Sequence, residues 1–382
     1  MNKLYRVKVD NLVPGAILEG DILSAKQVLL LGAGRKLTPG FISLLGDWGI
    51  SYVYTPSTQF PIDEEHQRSF TPHFDAIAQN REEVFYNAGL QFVLSDEERR
   101  VYISRVKERF GRISKKRAIE PGDITDLVED LEQRKTNFSD KIIQMWHNVA
   151  QHDYLYNRAL NGALLFNHLL EESDLDGSTR FEMTAAALLR DIGHAFFPPD
   201  LKNKRGPLTA GEFKLVQNHT KVASQLLTNS GFIGSDAVRA ARGHHEKYDG
   251  SGYPDGLRGE EIPRSARLLA VCDTFDAIVS TRPYKNRMSP YEAIGEVCGL
   301  SGVHFDPAMT GRFVRCFGLY PPGTFAVLSS GDGGIVVKNN EGLPVRPVVR
   351  LLFSSDGTPV DKVALLDLSK ETDLFVSEVF RA

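Results

Sequence analysis

The pattern of apolar and polar positions changes character several times along the chain. Over residues 1 to about 60 the two alternate, with turn signals between. LYRVKV, QVLLL and SYVYT read as strands, and KLTPGFISLLGDWGI as a short helix ending near a glycine. This is a small α+β unit in which no chemistry is evident. TPSTQFPIDEEHQ reads as a linker. From about 64 to 140 the chain is charged, and apolar residues recur at helical spacing. Ser95 and Glu98 form a capping box opening SDEERRVYISRVKERF. That pattern predicts packing helices or a coiled-coil contact rather than a site. Pairing of these helices into a homodimer is left open.

From about 139 to 318 nearly every segment reads as helix. Thr179 with Glu182, Thr209 with Glu212, and Ser289 with Glu292 have capping-box spacing, the last with Pro290 at the first helical position. Asp306 followed by Pro307 opens FDPAMTGRFVRCF. The one long interruption is the glycine-rich EKYDGSGYPDGLRGEEIP, and a loop of that length inside a compact domain tends to carry function. After Tyr320 the pattern returns to strands in TFAVLSS, GIVVK and VRPVVRLLF. The predicted organisation is a small α+β domain at 1–60, a helical packing region at 61–140, a helical domain at 141–318 and a β-rich tail at 319–382. The fold class is mainly α.

Composition narrows the function. The chain has 382 residues, 42% hydrophobic and 25% charged, which fits a soluble protein of several domains. A formal net charge of -4 gives no bulk attraction for nucleic acid, so DNA is not an expected partner and phosphate affinity has to come from a local site. Cys272, Cys298 and Cys316 are far apart and form no CxxC, as in a reducing compartment. No apolar run approaches a membrane span, and MNKLYRVKVDNL lacks the apolar core of a signal peptide. The expected location is the cytoplasm, without membrane insertion.

Candidate chemistry gathers in Asp191, His194, His219, His244, His245 and Asp273. Histidine and carboxylate together suit iron, manganese, zinc or nickel. Each residue alone says little: a lone helical histidine is more often a core or surface residue, and a lone aspartate more often a cap. The adjacent pair His244–His245 is more specific. Neighbours on a helix point about 100° apart, so two imidazoles share one ion only where the helix ends, and the glycine-rich loop begins just there. Asp273 sits among apolar helical letters, where a carboxylate has to be paired, capped or metal-bound.

HHEKYDGSGYP, IPRSARLLAVCDTFDAI and RPY resemble the HD-GYP family of bacterial signalling phosphodiesterases, a helical branch of the HD superfamily. The likeness covers about 150 to 318. Residues 1–60 and PPGTFAVLSSG resemble the small domain and strand tail that often flank such modules. The resemblance implies an all-helical HD-type metal-phosphohydrolase domain that cleaves cyclic di-GMP with two or three ions, often iron or manganese.

Carried over position by position, the family's HD pair falls on Arg190 and Asp191, and its following lysine on His194. The later ligands fall on His219, His244, His245 and Asp273. Gly252, Tyr253 and Pro254 preserve the GYP triplet. The early ligand helix aligns with YNRALN, placing Arg158 at its histidine and Tyr154 at the glutamate of three-metal members. Arg282 and Lys285 match the family's phosphate contacts, with Asp276 beside them. The departures therefore fall on one metal subsite. Its two histidines are Arg158 and Arg190, whereas Asp191, His219, His244 and His245 complete the other.

A guanidinium stays protonated and has no lone pair for a metal. The resemblance thus implies one bound transition metal ion, iron or manganese, rather than two. Asp191, His219, His244, His245 and Asp273 are the candidate metal residues. Asp191 and His194 are the candidate catalytic residues, His194 as proton donor or base. Arg158, Arg190, Tyr253, Arg282 and Lys285 are the candidate substrate contacts. Against these stand plainer readings: an Asp273–arginine ion pair, a metal-free histidine cluster, a surface His194 and a solvated Arg282–Lys285 pair. Glu246 either orients a histidine or touches substrate, and Cys272 reads as a small buried hydrophobe. Three functions follow. The favoured one is a cyclic di-GMP signalling protein that binds nucleotide, or signals through protein partners, with weakened or lost hydrolysis. The others are an active phosphodiesterase and a non-catalytic interaction scaffold.

Overall fold

The computed structural model describes residues 2–24, 29–47, 50–62, 64–68, 81–134, 138, 140–142, 153–171, 173–202, 204, 206–280, 288–360 and 364–379. Its N-terminal part is an antiparallel sheet of β1 (Asn2–Lys8), β2 (Ile22–Ser24), β3 (Leu29–Leu31), β4 (Tyr52–Thr55) and β5 (Glu64–Arg68), in the order β3-β2-β4-β1-β5. Val7 stands opposite Val53, and both are buried, as are Phe41, Leu44 and Leu45 of α1 (Pro39–Asp47). The segment expected to be a linker in part extends this sheet: Glu64 to Arg68 pair with β1 from Arg6 to Asn2. Its polar letters hide an edge strand, whose outer side needs no apolar face.

The helical body follows. α2 (Arg81–Asn87) precedes a short parallel pair, β6 (Gln91–Phe92) with β7 (Lys141–Ile142). α3 (Asp96–Lys116) and α4 (Pro121–Gln133) form a helical hairpin. Tyr102, Val106, Phe110 and Ile113 make one buried stripe, and Ile124, Leu127, Val128 and Leu131 make the facing one. Arg105 bridges to Asp126 and Asp130 across the hairpin, and Arg134 reaches back to Glu98.

The remaining helices are α5 (Tyr154–Glu171), α6 (Gly177–Leu189), α7 (Pro199–Lys202), α8 (Ala210–Gln217), α9 (His219–Ser230), α10 (Ser235–Gly243), α11 (Arg264–Val279), α12 (Pro290–Gly299) and α13 (Pro307–Phe317). A 3-10 turn, Ile192–Phe196, follows α6. α5, α6, α10 and α11 pack on one another around a core of leucine, alanine and phenylalanine. The capping boxes at Thr209 and Ser289 form as expected. The one at Thr179 does not. Asp176 caps α6 by accepting from the Thr179 N–H, and Glu182 instead accepts from the Gly234 N–H. Asp176 precedes a glycine and is the better N-cap, so the helix starts earlier.

The tail is a second antiparallel sheet, β8 (Phe325–Leu328), β9 (Gly333–Asn340), β10 (Leu343–Phe353), β11 (Leu365–Asp367) and β12 (Val376–Val379), in the order β11-β10-β9-β8-β12. Phe325, Val327 and Ile335 share a small core with Phe85, Ala88 and Leu90. Asn339 Nδ2 donates to the Phe317 carbonyl at 2.5 Å, tying this sheet to the end of α13. Among the described residues no helix is long and apolar enough to cross a membrane.

Candidate metal centre and its arginine neighbour

Three helix ends bring the site together. Asp191 follows α6, His219 opens α9, and His244 and His245 follow the end of α10. One ligand atom from each of these four lies within 4.8 Å of all the others. The adjacent imidazoles converge because α10 stops at Gly243; their ring centroids are 4.1 Å apart.

Two hydrogen bonds fix the chemistry of the rings. His219 Nδ1 lies 2.7 Å from the Val216 carbonyl, and His244 Nδ1 lies 2.7 Å from the Ala241 carbonyl. A carbonyl only accepts, so both Nδ1 atoms carry the proton and both Nε2 atoms keep a lone pair in the neutral ring. Those Nε2 atoms are buried and have no hydrogen-bond partner among the described residues, and neither oxygen of Asp191 has one. Asp191 Oδ1 is 3.3 Å from His219 Nε2 and 3.7 Å from His244 Nε2. Buried lone pairs aimed at one point are costly unless something accepts them. Burial lowers the pKa of His219 to about 3 and that of His245 well below its ordinary value, which favours the neutral, ligating form. This donor set of three nitrogens and a carboxylate fits a transition metal ion.

The neighbouring subsite is built of charge pairs. Arg190 is fully buried at the end of α6. Its Nε and Nη2 both lie against Asp273 Oδ1, at 2.9 and 2.8 Å. Nη1 donates to the Ala187 carbonyl at 2.7 Å, and Nη2 also to the Arg158 carbonyl at 3.0 Å. Gly162 on α5 makes the room: a methyl group there would collide with Arg190 Nη1. Arg158 Nη2 donates to Asp273 Oδ1 as well and lies 3.8 Å from Asp191 Oδ2, while its Nε lies 3.8 Å from Asp276 Oδ2. Burial alone would raise the pKa of Asp191 and Asp273. The two guanidiniums reverse that and hold both carboxylates well below the usual range.

The expected residues therefore separate. Asp273, expected among the metal residues, stands outside the four-residue group, and both arginines lie against its Oδ1. Arg190, expected at the substrate, is sealed from solvent with its donors committed. Arg158 keeps 12% of its side chain exposed. His194 is partly exposed, stacks on His219 at 4.3 Å and puts Nε2 3.6 Å from Asp191 Oδ1. Tyr253 stacks on His245 at 4.8 Å. Tyr154 lies under the Arg158 guanidinium at 5.9 Å. Arg282 and Lys285 lie outside the described residues.

Glu246 does something other than either expected role. Its carboxylate accepts from the N–H groups of Asp255, Gly256 and Leu257 at 2.7 to 3.1 Å. It thereby folds the GYP loop back beside the histidines. Gly252 lets that loop close, since a side chain there would run into the backbone of Glu246 and Lys247. Cys272 is buried beside Asp273, as its letter suggested. Sequence reasoning missed Arg99. Its Nη1 donates to Asn161 Oδ1 at 3.0 Å, and Asn161 Nδ2 donates to Asp276 Oδ1 at 2.8 Å. The available signal was an arginine on the same helical stripe as Tyr102, Val106 and Phe110.

Comparison with known proteins agrees with this architecture. Residues 144–309 match an HD domain, and residues 325–382 match a KOW domain associated with HD domains. A cyclic di-GMP phosphodiesterase of Pseudomonas aeruginosa is 32% identical over 261 residues, covering 68% of this chain and 63% of that protein. One from Thermotoga maritima is 39% identical over 152 residues, 40% of this chain and 41% of the relative. A 3'3'-cGAMP-specific phosphodiesterase of Vibrio cholerae is 36% identical over 125 residues, 32% of this chain and 24% of the relative. The chain thus spans less than two thirds of the length of each of these relatives.

Proposed function

Since residues 144–309 of this chain form an HD domain of the HD-GYP kind, we propose that it is a cyclic di-GMP signalling protein that binds nucleotide with weakened or lost hydrolysis. The observation that carries this reading is the division of the site. Asp191, His219, His244 and His245 retain a ligand set, whereas Arg158 and Arg190 hold Asp273 where the family places the other ion.

Charge balance explains how such a site takes an anion. Arg158 and Arg190 lie against Asp191, Asp273 and Asp276, and Arg99 reaches Asp276 through Asn161, so the formal charges of the three arginines and three aspartates cancel. One divalent ion, iron or manganese, held by Asp191 and the three histidines leaves the pocket with a surplus of about two positive charges. A cyclic dinucleotide carries two phosphodiester charges and matches it. When bound, the ion supplies Lewis-acid stabilisation of charge at phosphorus. Arg158 contacts a phosphate oxygen, a guanidinium being suited to that by its fork of donors. His194 Nε2 is the group placed to give or take a proton. Tyr253 lines the histidine side, and Arg282 and Lys285 serve as further phosphate contacts. With one ion instead of two, less Lewis-acid stabilisation would be available and turnover would be weak.

A second reading, a scaffold that acts through protein contacts, is favoured by one observation: both arginines lie within ion-pair distance of both Asp191 and Asp273, which can close the site to ligand. Titration calorimetry of anaerobically purified, iron- or manganese-loaded protein with cyclic di-GMP separates the two, with chromatography of the recovered nucleotide. The expected result is binding that His244→Ala and Arg158→Ala each weaken at least tenfold, with most nucleotide recovered uncleaved. No binding would establish the scaffold reading. Rapid cleavage abolished by His244→Ala would establish an active phosphodiesterase.

A further inference from the structure

Arg99 stands on α3, outside the stretch that matches the HD domain, yet is only 7% exposed. Its Nη1 donates to Asn157 Oδ1 at 3.3 Å and to Asn161 Oδ1 at 3.0 Å. These asparagines are one helical turn apart on α5, on either side of Arg158 in sequence. Each offers its oxygen to the cation and its NH2 elsewhere: Asn157 donates to the Asp153 carbonyl at 3.1 Å, and Asn161 to Asp276 Oδ1 at 2.8 Å. Ser280 Oγ donates to the same Asp276 oxygen at 2.9 Å, and the other oxygen faces Arg158 Nε. This relay of hydrogen bonds runs from α3 through α5 to Asp276 on α11, and its last step, to the guanidinium beside the metal residues, is an ion pair at 3.8 Å rather than a hydrogen bond.

Packing does not account for an arginine here. The rest of its stripe, Tyr102, Val106, Phe110 and Ile113, is apolar or aromatic, and a methionine or leucine would continue it. Replacing buried ionic groups by apolar ones of similar volume is often neutral or stabilising. Burial is costly for this cation, lowering its pKa to about 10 against the pull of Asp276. Two further contacts seat α3 on the same end of α5: Lys107 with Asp153 at 3.0 Å, and Phe110 edge-on to Tyr156 at 5.8 Å.

We propose that Arg99 is a positioning residue of the anion site: from the α3–α4 hairpin it fixes Asn161 and Asp276, and through them Arg158, so the site is complete only with the hairpin docked. The inference rests on Arg158 as the phosphate contact but has a readout of its own.

The test uses Arg99→Met in the full chain, with 15N-labelled arginine. The methionine side chain fills the stripe and ends the relay. The expected result is a shifted Arg158 Nε–H resonance that exchanges with solvent at least tenfold faster. The Arg190 resonance, held by Ala187, Asp273 and the Arg158 carbonyl, stays protected. Metal content is kept, and affinity for cyclic di-GMP falls at least fivefold. A folded variant whose Arg158 resonance is unchanged would overturn the proposal, whatever its thermal stability. Should Arg99→Met fail to fold, Arg99→Lys keeps the charge but lacks the planar fork; it is expected to shift Arg158 in the same way, and an unchanged resonance there would also overturn the proposal. Absence of nucleotide binding by the unaltered protein would refute the proposed function and leave the Arg158 resonance to decide on Arg99.

Discussion

Replacing Arg158 and Arg190 together by histidine is expected to raise bound metal from about one ion per chain to about two, and hydrolysis of cyclic di-GMP at least about tenfold. The change removes both guanidiniums from Asp273 Oδ1 and from the Oδ2 side of Asp191, and supplies two imidazoles with lone pairs. The space vacated over Gly162 leaves the smaller ring room to turn. Either single replacement falls short, because the remaining arginine still holds Asp273 and repels a cation. The two effects are therefore strongly non-additive. The double variant also becomes metal-dependent in stability, since without an ion its carboxylates lose their counter-charges. Elemental analysis and product chromatography check this; no gain in metal or in turnover would show that the damage extends beyond one subsite.

Asp273→Asn is expected to lower the free energy of unfolding by about 3–5 kcal/mol, the usual cost of leaving a buried charge without its partner. Arg190 has no exposed surface, and Arg158 little, so neither can turn to water when the carboxylate is lost. Urea unfolding measures the loss. The metal held by Asp191 and the three histidines is retained, because Asp273 is not in that group. A loss below about 1 kcal/mol, or loss of metal with stability unchanged, would mean that Asp273 is a ligand rather than the counter-ion of the arginines.

How much of this was legible follows from what each residue needs. His219, His244, His245 and Asp191 could be found from letters because a metal site needs particular donors, and the helix-ending loop after His245 told where two adjacent rings converge. The helical domain and six strands, β1, β3, β4, β8, β9 and β10, showed in their periods, whereas the short strands β2, β11 and β12 did not. The departure at Arg158 and Arg190 was visible too, but the division of labour between them was not. Which guanidinium is sealed depends on the hollow at Gly162, and a glycine within a helix does not announce what lies above it. Arg99 was hidden for another reason. Its partners Asn157 and Asn161 lie 58 and 62 residues away, and nothing local to α3 asks for an arginine. The edge strand at Glu64–Arg68 was missed because an edge strand can be polar throughout. At Thr179 a correct spacing lost to a better cap three residues earlier, Asp176.

The central claim is that one metal subsite survives and the other has become a set of ion pairs. Its most direct test is the stoichiometry of iron and manganese in protein purified without oxygen, set beside His219→Ala. About one ion per chain at saturation, lost in His219→Ala, is the predicted result. Two ions per chain, or none in either protein, would contradict it.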